Sequence, residues 1–443
     1  MKLQDLKKRI IPDMDTELAH LIECFQNNQI PSCYANMDEA IAVAKSKDSL
    51  FDNDRLVLGV SIGGSNTKLI LMRCKDKQFC VEYIASRKNP TDSTTLYEYL
   101  DLLLKNDSKI RDYLTNNSNP CIGFSIPMRI IEGVIYHPTK LAFLSTGIGR
   151  KESDIKSEMD FKKLFAEHMK SRGFSTNYNL VYQPDGWVAH HGAISLCLDI
   201  KPGDKSVLLV TGTGSATSDE AAYIVPALIQ GLADDEELFP LAKTENRQFM
   251  YAISGKGLFL IMKQALLLQE ADSSSSLYGY ELSSMFSSAD DSYIVGKLAE
   301  VHHGFSEDSD IIEQIKSSVS SEAFSEACQI ADFIITRSAL SQANTVLATL
   351  SFAPAPKPGK NTFVFFEGSI ATNIVVLPKI KERINTMAAR SEFFTSLSAK
   401  PIVKPCMEVN YMSLHGNNEQ AVPMLSQADL SLVGSATMVI AVK

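Results

Sequence analysis

At 443 residues, 45% of them apolar and 21% charged, the chain is long enough for two or three soluble domains with their own cores. A formal net charge of −9 sets aside nonspecific binding to nucleic acid or to an anionic membrane, since both need basic patches. No run of ~18 apolar residues is present to span a membrane, and the start MKLQDLKKRI lacks the apolar core of a signal peptide, which points to a cytoplasmic protein. In chain order, residues 1–50 read as short helices around an Ile30-Pro31 break. Leu6, Ile10 and Ile11 form one apolar stripe, and Leu18, Leu21, Ile22 and Phe25 another.

At Leu56 the period shortens. Leu56 to Val60 is a strand, Ser61 to Asn66 a turn, and Thr67 to Met72 a second strand, which together make a β-hairpin. Residues 94–117 carry Leu96, Leu100, Leu103 and Leu104 at helical spacing. Residues 120–126 and 131–137 are strand-like and 160–172 helical. A second hairpin runs from Ser206 to Thr211, through a Gly212-Thr213-Gly214-Ser215 turn, to a strand near Ala221–Val225. Helices are predicted over 245–270, 278–287, 310–318 and 321–349. Phe352 to Lys360 is a proline-rich connector, Phe363 to Phe366 a strand, and the stretch from Leu432 the start of a buried last helix. Hairpin, strands and helices thus occur twice, the pattern of an α/β protein with two related halves.

The eight cysteines (Cys24, Cys33, Cys74, Cys80, Cys121, Cys197, Cys328 and Cys406) include no C-x-x-C pair and no zinc spacing. They read as reduced thiols. His190 and His191 are neighbours that point about 100° apart on a helix, so no metal ligand set is expected there. The single tryptophan, Trp187, suits core packing or the wall of a cleft, and Asp272 to Ser276 (DSSSS) a solvated loop.

The two glycine-rich turns carry the chemistry. Without a Cβ, glycine lets backbone N–H groups approach a polyphosphate, and the hydroxyls of Ser65, Thr211, Thr213 and Ser215 can add hydrogen bonds. Neither turn leads from a strand into a helix, which excludes the Rossmann fingerprint, and no G-x-x-x-x-G-K-[ST] is present, which excludes a P-loop.

Leu58 to Asn66 (LGVSIGGSN) resembles the first phosphate segment of hexokinases, and Val210 to Ser215 (VTGTGS) their second. Between them, Pro138-Thr139-Lys140 resembles the sugar-contacting Thr-Lys of that family, and Pro184-Asp185-Gly186 falls where it places its catalytic aspartate. Ala252 to Lys256 (AISGK) is similar to a large-lobe helix start, Phe366 to Ser369 to the adenosine segment, and Asp429 to Ala436 to the closing helix start. The matches run in family order from about residue 30 onward.

The resemblance implies an α/β, two-lobed actin-like ATPase (ribonuclease H-like) fold of the hexokinase type, closing on a cleft. It divides the chain into an N-terminal helical segment on the large lobe (1–54), a small lobe (55–183, with the C-terminal helix 430–443) and a large lobe (184–429). It implies ATP-dependent phosphorylation of a hexose hydroxyl, with ATP, Mg2+ and a small-molecule sugar as partners, and leaves the oligomeric state open. Asp185 would be the general base and Lys140 a charge-neutralising partner. Ser125, Thr139, Lys140 and Asp185 would meet the sugar. Gly63, Gly64, Ser65, Asn66, Thr211, Gly212, Thr213, Gly214, Gly368 and Ser369 would hold the nucleotide, with Gly434 and Ser435 on its adenine side. Residue chemistry alone also allows Asp185 as the cap of a helix over 186–198 and Gly434-Ser435 as a tight helix contact.

The sequence departs from the family at four places. Ser61 stands where an aspartate helps to position magnesium, and Pro184 where an asparagine meets the sugar. Pro226 to Gly231 carries no acid, and Leu260 takes the place of a second glutamate. These changes hold open a second reading, a non-catalytic hexokinase-like sensor or scaffold.

Overall fold

The computed structural model describes residues 2–27, 54–63, 66–75, 78–92, 94–131, 133–136, 144–145, 158–197, 199–201, 204–212, 215–217, 235, 237–239, 253–287, 291–305, 309–352, 360–390, 402–405, 414–416 and 430–441. The chain divides into two compact units. One comprises Met1–Tyr34 with Gly203–Cys406, the other Ala35–Pro202 with Met407–Lys443.

The strands, in chain order, are β1 (Leu56–Ile62), β2 (Asn66–Lys75), β3 (Gln78–Lys88), β4 (Thr94–Thr95), β5 (Cys121–Ile126), β6 (Arg129–Ile131), β7 (Val134–Tyr136), β8 (Leu144–Ser145), β9 (Glu158–Asp160), β10 (Asn179–Pro184), β11 (Lys205–Thr211), β12 (Ser215–Thr217), β13 (Thr362–Glu367), β14 (Ile402–Pro405) and β15 (Leu414–Gly416). The helices are α1 (Leu3–Ile10), α2 (Met14–Asn27), α3 (Leu96–Leu100), α4 (Ser108–Asn116), α5 (Phe161–Ser171), α6 (Asp185–Leu196), α7 (Gly255–Glu270), α8 (Ser292–His302), α9 (Asp310–Ser318), α10 (Ser321–Phe352), α11 (Val376–Arg390) and α12 (Leu430–Ala441).

The second unit is built on a mixed sheet of order β10-β5-β1-β2-β3-β15. β1, β5 and β10 run parallel, and β1-β2-β3 form an antiparallel meander. β5 is buried along its whole length and β1 nearly so, as strands covered on both faces must be. One face packs on α3 to α5 through Phe124, Phe161 and Phe165, whose rings meet edge to face or tilted at 5.2–5.9 Å. The other face receives α12. Gly59 and Gly123 are register partners on β1 and β5, and a Cβ on Gly123 would stand 1.8 Å from Ser435 O. The two glycines form a notch into which α12 sinks. α6 crosses α12 as closely, with Gly192 against Leu430 O and Gly434 against Val188 O.

The first unit has a sheet of order β12-β11-β13-β14, with β11, β13 and β14 parallel and β12 returning from β11 as a hairpin. Its core gathers residues of β11, β13, α1, α2 and α7 to α11. The 32-residue α10 runs through it and packs against α2, α8 and α11.

The second unit runs to Pro202 and takes in α6, whose glycine face crosses α12; the sequence reading draws its lobe boundary at 183/184. Between α1 and α2 the chain breaks at Ile11 to Asp13, around Pro12; the expected break at Ile30-Pro31 lies outside the described residues. The helix expected over 94–117 is interrupted. A π-turn spans Asp101–Lys105, and Asp107 caps a fresh start at α4 by accepting from the N–H of Lys109 (3.1 Å) and of Ile110 (3.2 Å). The segment 278–287 holds only a 3-10 turn, Leu282–Met285, after Gly279 at φ +79°. The return strand of the second hairpin is β12, while 221–225 lies outside the described residues, as do 353–359 of the connector.

Candidate active site

Each unit carries its own set of candidate residues. In the second unit they lie at the carboxyl ends of the parallel strands, the edge at which α/β sheets bind ligands. Ser61 of β1, Ser125 of β5 and Gln183 of β10 form one row across three strands. Ser61 and Ser125 lie two residues beyond Gly59 and Gly123, on the face that receives α12. Ser125 is completely buried, and its Oγ finds no hydrogen-bond partner among the described residues. Buried polar atoms are nearly always hydrogen-bonded, so this hydroxyl keeps Ser125 a candidate contact.

β10 ends at Pro184, and Asp185 opens α6. Pro184 is the N-cap position and offers no side-chain oxygen. Asp185 is thus the first helical residue and not the cap. Its Oδ1 accepts from the N–H of Gly186 at 2.8 Å, and a carboxylate is favoured at a helix N-terminus. The Gly63–Asn66 turn is closed by the N–H of Gly63 donating to Asn66 O at 2.9 Å. Asn89 braces it by donating to Gly63 O (2.7 Å), and Asn89 is itself held by Thr67 Oγ1 (2.8 Å), which also hydrogen-bonds Tyr99. Asn89 was not singled out from the sequence. Its signal is the turn-marking Asn-Pro pair that it forms with Pro90.

In the first unit three segments converge. Gly212 O accepts from the N–H of Gly255 at 2.8 Å, and Thr211 O from the N–H of Ile370 at 3.3 Å. Gly368, at φ +99°, packs so closely that a Cβ there would stand 2.2 Å from Thr211 O. Only glycine fits both that dihedral and that space. Ser369 beside it is exposed. Thr211 Oγ1 and Ser254 Oγ are both buried without a hydrogen-bond partner among the described residues. Ser254 is the N-cap residue of α7, yet its side chain caps nothing. Two free hydroxyls and a helix N-terminus beside a glycine turn form an arrangement suited to phosphate. Ser254 was read only as part of a segment match and given no role.

Solved structures supply the comparison that the sequence does not: no family model and no curated protein matches the chain. A crystal structure of hexokinase superposes with a TM-score of 0.60 at 13% identity, covering 100% of this chain and 99% of that one. A hexokinase from Schistosoma mansoni, complexed with glucose, gives 0.56 at 12% identity, with 99% and 100% covered. A glucokinase from Balamuthia mandrillaris, also in complex with glucose, gives 0.50 at 14% identity, with 90% and 98% covered. The chain has the hexokinase fold.

Within that hexokinase fold, Gly434 and Ser435 lie in the second unit, in the α12 contacts with α6, β1 and β5, where Ser435 Oγ donates to Leu432 O at 2.7 Å. These are the tight helix contacts that residue chemistry alone allows for the pair. Gly64, Ser65, Thr139, Lys140, Thr213, Gly214 and the segment 226–231 lie outside the described residues. Asn66 is exposed at the start of β2. Leu260, in the place of an acid, is half-buried and packs on the first unit's core.

His190 and His191 are fully buried in α6. Burial pushes His191 down to about 4, and burial together with its neighbour pushes His190 down to about 3. Thr437 Oγ1 donates to Gly434 O (3.2 Å) and therefore accepts from His191 Nδ1 (3.0 Å), which ties α6 to α12. Trp187 is half-buried and stacks on His191 at 5.6 Å.

Proposed function

We propose that the chain is an ATP-dependent sugar kinase that phosphorylates a hexose hydroxyl. The observation that carries this reading is Asp185, an acid on the first turn of α6 at the carboxyl edge of the sheet, next to the row that holds the unpartnered Ser125 hydroxyl. Glucose in the S. mansoni and B. mandrillaris structures supports a hexose as the acceptor.

In this assignment Ser125, with Thr139 and Lys140, orients the acceptor sugar. The Asp185 carboxylate takes the proton of the reacting hydroxyl as that oxygen bonds to the γ-phosphorus and the bond to the ADP oxygen breaks. The Thr211–Gly212 turn, Ser254 and the Gly368 turn hold the nucleotide, and their unpartnered hydroxyls suit phosphate oxygens. Magnesium would neutralise phosphate charge. It keeps several waters and needs only one or two carboxylates beyond the phosphates. Ser61, on β1 where the family has an aspartate, offers a hydroxyl and no carboxylate, so the metal would be held mainly by the nucleotide phosphates and water.

A second reading, a sensor or scaffold that binds nucleotide or sugar without turnover, is favoured by Leu260 on the core side and Pro184 at the end of β10. A coupled ADP-release assay over a panel of hexoses, with and without magnesium, separates the two. Gly212→Val is the informative variant. A Cβ there meets nothing within 4 Å, and the melting temperature of the variant checks that the fold is kept. Sugar-dependent ADP release that Gly212→Val removes supports the kinase. Nucleotide binding without release on any sugar supports the second reading, and no binding at millimolar nucleotide refutes both nucleotide roles.

A further inference from the structure

The segment Ile253–Gly255 is held from two sides. The N–H of Gly255 donates to Gly212 O at 2.8 Å. A Cβ on Gly255 would stand 2.8 Å from Ser292 Oγ and 3.1 Å from Gly212 O, so the backbone there has no room to move toward either. On the other side, Ser338 in the middle of α10 donates from Oγ to Ile253 O at 2.9 Å, and Gln342 Nε2, one turn further on, donates to Ser338 Oγ at 3.0 Å. Ile253, Gly255, Ser338 and Gln342 are all buried. The chain of bonds runs Gln342, Ser338, Ile253 O, and from the same segment Gly255 to Gly212 O.

We propose that Ser338, oriented by Gln342, is a positioning residue for nucleotide binding: it sets the peptide that carries Ser254 and Gly255, and through Gly255 the Thr211–Gly212 turn. This rests on the nucleotide role assigned to that turn. Ser338 itself touches no ligand. Its position is unlike that of the other buried hydroxyls on α10. Thr345 Oγ1 donates to Ser341 O at 2.9 Å, within its own helix, whereas Ser338 reaches out of the helix to a segment 85 residues earlier. A buried carbonyl that loses its donor is costly to leave unpaired, so the backbone of the Ile253–Gly255 segment is driven to shift.

The test compares Ser338→Ala with Thr345→Ala, which removes an equally buried hydroxyl of the same helix, and with Ser338→Thr, which restores the donor. Binding of a non-hydrolysable ATP analogue is measured by calorimetry, and amide hydrogen exchange is followed at Gly255. Ser338→Ala is expected to weaken the analogue about tenfold, the loss of roughly one hydrogen bond's worth of order. It should also speed exchange at Gly255 by a similar factor. Thr345→Ala should leave both within about twofold, and Ser338→Thr should return both toward wild type. Equal weakening by the two alanine variants, or unchanged exchange at Gly255, overturns the proposal. Should wild type bind no analogue, the nucleotide reading fails by itself, while the exchange comparison still decides whether Ser338 positions the turn.

Discussion

Replacing Gly434 by alanine puts a methyl group where α12 crosses α6. The new Cβ would stand 1.9 Å from Val188 O, 2.8 Å from Val188 C and 3.0 Å from Gly192 N, all backbone atoms that cannot turn away as a side chain can. Relieving the first contact to the ~3.5 Å of ordinary packing means parting the helices by about 1.5 Å. Overpacking of this kind costs ~3 kcal/mol, the upper end of its usual range, because neither backbone yields. Alanine in a helix regains ~1 kcal/mol over glycine. The net loss is about 2 kcal/mol, and for a unit of about 200 residues it lowers the melting temperature by ~4–8 °C. Differential scanning calorimetry measures it. Gly192→Ala, on the reciprocal contact, should act similarly, and the double variant should cost less than the sum, since one parting relieves both. An unchanged or higher melting temperature in Gly434→Ala would mean that helix propensity dominates and that the close crossing is not a constraint.

Asp185→Asn should lower sugar-dependent turnover by ~10²–10⁴-fold with the acceptor KM little changed, the range for a positioned base, read in the ADP-release assay. Arg337→Met should destabilise the first unit by ~3–5 kcal/mol, because it leaves the buried Glu17 carboxylate without its partner at 2.5 Å. Glu17→Leu in the same chain should recover most of that, as shown by the denaturant midpoint. Stability should fall as pH drops from about 6.5 to about 4. An unfolded histidine takes up its proton near 6.5, whereas folded His191 stays neutral down to about 4, so the unfolded state binds more protons across that window, by ~3 kcal/mol for this group. His191→Gln should remove about half of this dependence between pH 7 and 5, since buried His190, pushed down to about 3, keeps the rest.

The strands that position the site were legible because their signal is local. Leu56 to Val60, residues 120–126, Ser206 to Thr211 and Phe363 to Phe366 are short apolar runs bounded by turn residues, and each is a strand in the fold. Two helices went unread for local reasons too. α8 carries Gly296 at its centre, which a propensity reading treats as a breaker. α11 has Pro378 at its third residue, which is tolerated only because the first turn needs no donor there. The 278–287 segment misled in the other direction. Leu282 and Phe286 are buried at helical spacing, but Ser283 is tied to Glu270 by hydrogen bonds of 2.7 and 2.6 Å, which fix a single turn. At the site, Asp185 and the glycine turns were visible as motifs. The packing of Gly434 and Ser435 was legible only as one of two alternatives, since a glycine for ligand approach and a glycine for helix approach look alike until the partner backbone is in place. Ser338 was invisible for the same reason, as nothing near it in sequence resembles a turn.

The notch made by Gly59 and Gly123 imposes an order of events on synthesis. The helix that fills it lies far along the chain: His191 and its partner Thr437 are 246 residues apart, and the glycines of β1 and β5 precede α12 by more. At a translation rate of ~5–20 residues per second, the β1–β5 notch waits ~15–60 s for its cover. The strands that frame it are made early, and the helix that completes them is among the last elements to be made.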